Sequence, residues 1–240
     1  MGDETKLTSN PKLLVGCPVH KRDWILPAWK EHVIKACDEA GIDPLFVFVA
    51  SESDAPSVTW DDSVVRLVEE PQREDKRDWS RNRLLHMVYL RNILLDEVRS
   101  INPEMFLSLD SDILLNEMSI VGMLEGFKDD SVWAVGGKAF MSRGRLHPSY
   151  GTFISPGKVW TGFKRKDSNS LSGVDIIMAV KMMNRSAYNV DYVFHRHGED
   201  IGWSSAVAEA GGKLFWDGRY CSKHVMNREL LGVIDERCGY

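Results

Sequence analysis

Met105-Phe106-Leu107-Ser108-Leu109-Asp110-Ser111-Asp112-Ile113-Leu114-Leu115 is the stretch on which the reading of this chain turns. Apolar residues lead into two carboxylates and out again. Phe106, Leu107 and Leu109 have the buried character of a central strand. Asp110 and Asp112 sit two apart, so in an extended segment they point the same way. Two carboxylates on one side at the exit of a buried strand are costly unless something neutralises them. A divalent cation carrying a phosphorylated ligand does so, and hard oxygen ligands suit Mg²⁺ or Mn²⁺. Taken alone, the triplet also reads as an ordinary polar turn, because Asp and Ser are turn formers.

The bulk numbers set bounds. The chain has 240 residues with 43% hydrophobic and 27% charged residues, enough for a substantial core and a charged surface. The formal net charge of −5 gives no general attraction to nucleic acid, although basic residues cluster at Lys21-Arg22, Arg81/Arg83/Arg91 and Lys164-Arg165-Lys166. No apolar run approaches bilayer length, and the polar start Met1-Gly2-Asp3-Glu4 lacks an apolar signal core, so the expectation is a cytoplasmic protein. Cys17, Cys37, Cys221 and Cys238 show no paired spacing, which indicates reduced thiols rather than zinc or a redox pair.

Outward from the central stretch, apolar runs alternate with helical patterns. Lys12 to Cys17 predicts a first strand stopped by Pro18, followed by the basic loop His20-Lys21-Arg22. Ile25, Trp29, Val33, Ala36 and Ala40 predict a helix over 24–40, ended by Gly41. Strands are expected at 44–50 and 64–68, and a long helix at about 79–100. Later come a short helix over 117–127, strands at 132–135, 174–183 and 214–216, and a helix opened by Gly198-Glu199-Asp200 and ended by Gly211-Gly212. Residues 144–172, rich in Gly, Pro, Ser and Lys/Arg with Tyr150, Phe153, Trp160 and Phe163, are expected to be irregular. Such alternation argues for an α/β fold with a mainly parallel central sheet flanked by helices, in which ligands bind beyond the carboxyl ends of the strands. Pro18, His20, Ser51 and Asp110 stand at those ends and are nucleotide-binding candidates. The repeated Lys-Arg-Asp-Trp at 21–24 and 76–79 has unrelated flanks and is coincidence.

The ordered set Arg91-Asn92, Asp110-Ser111-Asp112, Val174-Asp175, Glu199-Asp200 and a terminal strand leading to His224 resembles the GT-A fold glycosyltransferases, especially the large single-domain inverting family. The resemblance spans residues 13–224 and implies one Rossmann-like GT-A domain over 1–240, with a nucleotide-binding half at about 12–115 and an acceptor half at about 116–240. It implies a nucleoside-diphosphate sugar donor (UDP- or GDP-sugar) and a metal-dependent transfer to an acceptor hydroxyl. By the same resemblance Asp112 is a direct metal ligand, Asp110 touches the metal or the ribose, and His224 ligates the metal or binds the diphosphate. Lys223 adds positive charge near the diphosphate, or is an exposed surface lysine. Arg91 resembles the arginine near the nucleotide, its alternative being a helix-surface ion pair with Glu97 or Asp96. Asp200, with Glu199 beside it, resembles the catalytic base; the bland alternative is a helix N-terminal turn, where acids favour the dipole.

Two departures and several alternatives stand beside this. The family's aspartate at the end of the second strand has no exact counterpart in Ala50-Ser51-Glu52-Ser53-Asp54. The Gln-x-x-Arg-Trp signature of processive synthases is absent, which favours single-sugar transfer. His195-Arg196-His197 is a weak candidate for a second metal site if extended. A retaining GT-A enzyme, a non-catalytic nucleotide-binding module and a nucleotidyltransferase are the other readings, the last poorly matched because only Gly16 precedes the basic loop. The acceptor is left open among a saccharide, a protein side chain, a small metabolite and a modified DNA base.

Overall fold

The computed structural model describes residues 11–69, 80–141, 147–149, 152–153, 164–165 and 170–232. In chain order the elements are β1 (Leu13–Val19), α1 (Leu26–Ala40), β2 (Pro44–Ala50), β3 (Ser63–Leu67), α2 (Arg81–Ile101), β4 (Met105–Leu109), β5 (Ile113–Leu114), α3 (Ser119–Leu124) and β6 (Val132–Met141). There follow β7 (His147–Ser149), β8 (Thr152–Phe153), β9 (Lys164–Arg165), β10 (Leu171–Val174), β11 (Val180–Asn184), α4 (Arg185–Tyr188), α5 (Glu199–Glu209) and β12 (Lys213–His224). One ten-stranded sheet runs in the order β10-β12-β6-β11-β4-β1-β2-β3, with β5 added to β12 and β7 to β6. The first half is parallel throughout, β1 pairing with β2 and β4, and β2 with β3. In the second half β11 runs antiparallel to both β4 and β6, while β12 is parallel to β6. The fold is therefore mixed α/β, and parallel where the strand–helix alternation is strict.

Both faces of the sheet are covered, which is why its strands are apolar at successive positions. Leu13, Val15, Cys17 and Val19 pack on the α1 side with Trp29 and Val33. Leu14, Val47 and Val49 turn to the other face, against Leu94, Leu95 and Val98 of α2 and Trp203 of α5. α1 starts at Leu26, later than the pattern suggests, because Pro27 favours the first helical turn. It stops at Gly41, whose φ of 65° supplies the left-handed cap. Ser80 caps α2, its side chain accepting from the Arg83 amide at 3.3 Å.

Three expectations need correction. Pro18 does not stop β1, which continues to Val19 in register with β2. The β4 pairing ends at Gly16, so Pro18 lies where the strand has one neighbour and its missing N–H costs no ladder bond on the vacant side. The apolar run 174–183 is not one strand. β10 pairs with β12, whereas β11 sits between β4 and β6, so the intervening residues carry the chain across the sheet. Ile176 and Ile177 are fully buried during that crossing, Ile176 in no more than an isolated bridge, and burial without a continuous ladder looks the same as a strand in sequence. β6 and β12 also extend well beyond the expected 132–135 and 214–216, since each supports the other in a long parallel ladder.

The second Lys-Arg-Asp-Trp, the clustered basic residue Lys166, the aromatic residues Tyr150, Trp160 and Phe163, and Cys238 lie outside the described residues. Cys17, Cys37 and Cys221 are buried and form no disulfide among the described residues. Burial raises the Cys37 thiol to about 12 and the Cys17 thiol further still. Both therefore stay protonated and inert, as expected for reduced core thiols. Among the described residues no helix is long and apolar enough to cross a membrane.

Candidate functional site

The carboxyl ends of β1, β2 and β4 bring their loops together on one edge of the sheet. After β1, Lys21 takes a left-handed conformation (φ 52°) that turns His20 and Arg22 in different directions. After β2, the chain folds back through backbone bonds from Asp54 and Ala55 to the Ser51 carbonyl. Asp54 is thereby buried between the two loops. Its carboxylate accepts from the Lys21 amide at 2.8 Å and the Ser51 hydroxyl at 3.0 Å, and lies 3.2 Å from His20 Nδ1. This residue holds His20 and Ser51, both expected at the nucleotide, in a single hydrogen-bonded unit. Pro18 lies two residues upstream, in the last turn of strand before it.

The Asp-Ser-Asp segment departs from the expected geometry. β4 ends at Leu109, and a turn closed by Ile113 N donating to Asp110 O follows. The two carboxylates take different partners. Asp110 pairs with Arg91, which also donates to Ser108 Oγ at 3.1 Å. Asp112 accepts from Arg22 at 2.7 Å and faces His224 Nε2 at 3.1 Å. His224 reaches it from the end of β12, where it pairs in register with Ile113 of β5. Burial alone would raise the Asp112 carboxyl. The His224 hydrogen bond, the imidazole charge and the Arg22 guanidinium outweigh burial and hold it below the usual carboxylate range.

Arg91 is not a surface residue of α2. It is 3% exposed. Burial works against its charge, but Asp110, with Tyr192, Asp200 and Glu199 adding to it, raises it well above the usual arginine value. Glu97 instead pairs with Arg66, and Asp96 with Arg99. Lys223 is likewise buried rather than exposed, and donates to the Leu231 carbonyl at 3.2 Å. Neighbours on a strand point to opposite faces, so Lys223 turns away from the side that His224 takes.

Glu199 and Asp200 open α5 after Gly198, whose φ of 136° excludes ordinary side chains. Both are buried, which the bland reading as a solvated helix turn does not explain. Asp200 forms an ion pair with Lys181 of β11. Burial, then the Asp200 charge, raises the Glu199 carboxyl, with Arg91 and Lys181 pulling the other way. Gly202 lets the segment ahead of α5 pass close by, since a Cβ there would lie 2.0 Å from the Val193 carbonyl. The His195-Arg196-His197 segment is irregular rather than extended. Arg196 Nε donates to His197 Nε2 at 2.9 Å, and the His197 amide to His195 Nδ1 at 3.3 Å. Those nitrogens are thus committed, and a second metal site finds no support there.

Asp112 and His224 fit a divalent cation in part. Cis ligands of an octahedral Mg²⁺ with bonds of about 2.1 Å stand roughly 3 Å apart, and the two side chains are 3.1 Å apart. His224 Nδ1 is buried with no hydrogen-bond partner among the described residues. Among the described residues no three His, Cys, Asp or Glu side chains converge on one point. Asp112 and His224 would therefore hold such a cation with water and ligand oxygens completing the shell, while Asp110 is engaged by Arg91.

By sequence the chain matches no known family profile and no curated relative. By structure it resembles the catalytic domain of Drosophila β1,4-galactosyltransferase 7 in complex with xylobiose. The TM-score is 0.52 at 11% identity, covering 92% of this chain and 74% of that one. It also resembles the mannosyltransferase PcManGT from Pyrobaculum calidifontis in complex with GDP-Man and Mn²⁺. Here the TM-score is 0.53 at 14% identity, covering 92% of this chain and 58% of that one. The fold is GT-A-like. On this GT-A-like scaffold Arg22, Asp54, Lys181 and Tyr192 join the site, and sequence reasoning singled out none of them as a site residue. Arg22 was visible only as part of a basic loop. Lys181 carried one signal, a charge inside an otherwise apolar strand.

Asp112→Asn and His224→Ala are expected to leave the GT-A-like sheet folded and to lower metal-supported nucleotide affinity by about 10–100-fold. Calorimetric titration of nucleotide with Mn²⁺, beside thermal melts, checks both. A large loss of melting temperature with unchanged affinity would show that these residues serve structure alone.

Proposed function

We propose that this protein transfers a sugar from a UDP- or GDP-sugar to an acceptor hydroxyl with inversion at the anomeric carbon. The observation that carries the reading is the meeting of Asp112 with His224 at one edge of a GT-A-like sheet. Turn and strand ends far apart in sequence are brought to one place there. The bound ligands of the mannosyltransferase neighbour, GDP-Man and Mn²⁺, support a nucleotide-sugar donor and a divalent metal, Mn²⁺ or Mg²⁺. The nucleotide half is assigned to 12–115, with Pro18, His20 and Ser51 toward the base and ribose. Asp110, fixed by Arg91, serves the nucleotide rather than the cation.

The acceptor oxygen attacks the anomeric carbon and forms the new C–O bond. The bond from that carbon to the phosphate oxygen breaks, and its electron pair leaves with the nucleoside diphosphate. The acceptor proton passes to the Asp200 carboxylate, beside Glu199. Asp112 and His224 would hold a divalent cation, whose charge would stabilise the departing diphosphate. Arg22, fixed against Asp112, adds positive charge from the chain itself, whereas Lys223, expected near the diphosphate, is turned away and tied to the Leu231 carbonyl.

UDP or GDP is expected to bind at least tenfold more weakly in EDTA than with Mn²⁺, because Arg91 and Arg22 are already paired with Asp110 and Asp112 and leave little net positive charge for a diphosphate. Incubation with a panel of nucleotide sugars and assay of released UDP and GDP tests the transfer. Equal affinity in EDTA removes the metal. Release of pyrophosphate in place of a nucleoside diphosphate replaces this reading with nucleotidyl transfer.

A further inference from the structure

Lys181 has no part in the reaction as drawn, yet it is fully buried in the middle of the sheet. On β11 it lies opposite Ser108 of β4 and Gly136 of β6. Its Nζ donates to Asp200 Oδ1 and stands 5.5 Å from the Tyr192 ring and 5.9 Å from the Trp203 ring. Arg91 packs over the same Tyr192 ring at 6.0 Å. A buried ammonium is expensive unless paired and hydrogen-bonded. Apolar residues fill the neighbouring β11 positions, so nothing in packing alone calls for a lysine.

We propose that Lys181 is a positioning residue for the base: it takes one oxygen of Asp200 and leaves the other oxygen for the acceptor hydroxyl. The inference rests on Asp200 being the base. The charged and titratable groups around Asp200 explain the need. Glu199 stands beside it on α5, and Asp110 contributes negative charge from the turn after β4. Arg91 on α2 is drawn off by Asp110, and Tyr192 lies between Arg91 and Lys181. Glu199 and Asp200 are buried neighbours of like charge, and Lys181 pairs with Asp200. Lys181 is the cation that singles out Asp200.

The test compares wild type, Lys181→Arg, Lys181→Gln and Lys181→Met. The kcat/KM pH profile is measured with whichever of GDP-mannose, UDP-galactose and UDP-glucose the wild type turns over. The Asp200 carboxyl is followed by ¹³C NMR, assigned by its loss in Asp200→Asn. In Lys181→Gln and Lys181→Met the acidic limb and the NMR midpoint are expected to rise together by at least about one pH unit. Lys181→Arg is expected to keep both near wild type. Should Lys181→Met fail to fold, Lys181→Gln, which keeps length and a donor without charge, decides. An unmoved midpoint in the neutral variants overturns the inference. No turnover of any nucleotide sugar by wild type counts against the transferase reading instead, and the NMR midpoint still decides the pairing.

Discussion

Replacing Asp200 with asparagine lowers sugar transfer by about 10²–10⁴-fold and leaves donor binding nearly unchanged. Asparagine keeps the size and one acceptor oxygen but does not accept the proton. In this site Asp200 pairs with Lys181, while Asp112 pairs with Arg22 and His224. The proposed nucleotide and metal contacts therefore belong to different side chains from the proposed proton acceptor. On the proposed mechanism the product is expected to carry inverted anomeric configuration, because one base and one in-line displacement permit a single inversion. Coupling constants of the product's anomeric proton give that directly. Retained configuration, or near wild-type turnover by the asparagine variant, removes Asp200 from the role and favours a retaining enzyme. The variant also leaves Lys181 without its counter-ion, so the assay belongs well below the variant's own melting temperature.

The second large effect is on stability. Lys181→Leu is expected to cost about 3–5 kcal/mol, because Asp200 then keeps a buried charge with its partner gone. The double change Lys181→Leu with Asp200→Leu is expected to recover most of that loss, since neither charge is left uncompensated. Urea unfolding of wild type, single and double variants measures the difference. The Lys181 ammonium, despite a burial cost, is held above its usual value of 10.5 by Asp200, helped by Tyr192 and Asp110. A cation with a raised folded-state value contributes fully below 10.5 and loses that contribution only as pH rises through the folded value. The gap between wild type and Lys181→Leu should therefore stay constant from pH 7 to 10. A gap that widens as pH rises within that window would mean that the lysine is neutral in the fold.

Much of the architecture was legible in the chain. Periodicity located α1 and α2, Gly41 marked the end of α1, and apolar runs located β1, β2 and β4. Those are local properties, set by the repeat of buried positions and by backbone preference. The order of Arg91, Asp110, Asp112, Asp200 and His224 pointed to the fold that the structural neighbours share. Local pattern carried less where burial came without regular pairing. The apolar run 174–183 looks like one strand but crosses the sheet, because an inside position has the same composition whether or not its backbone joins a ladder.

Partner choice was decided by tertiary structure alone. Sequence spacing placed Asp110 and Asp112 side by side, yet the turn after Leu109 sends one to Arg91 and the other to Arg22 and His224. Arg91 reads equally as an arginine near the nucleotide and as a helix-surface ion pair until α2 is laid on the sheet with Ser108 and Asp110 beneath it. Asp54 gains meaning only when the loops after β1 and β2 lie side by side. Lys181 sits in a strand that any hydrophobic count places in the core, and what it meets there, the carboxylate at the start of α5, is fixed by how that helix packs across β11. Charge pairs across a fold depend on distances of a few ångströms between segments remote in sequence. No single stretch of residues encodes them.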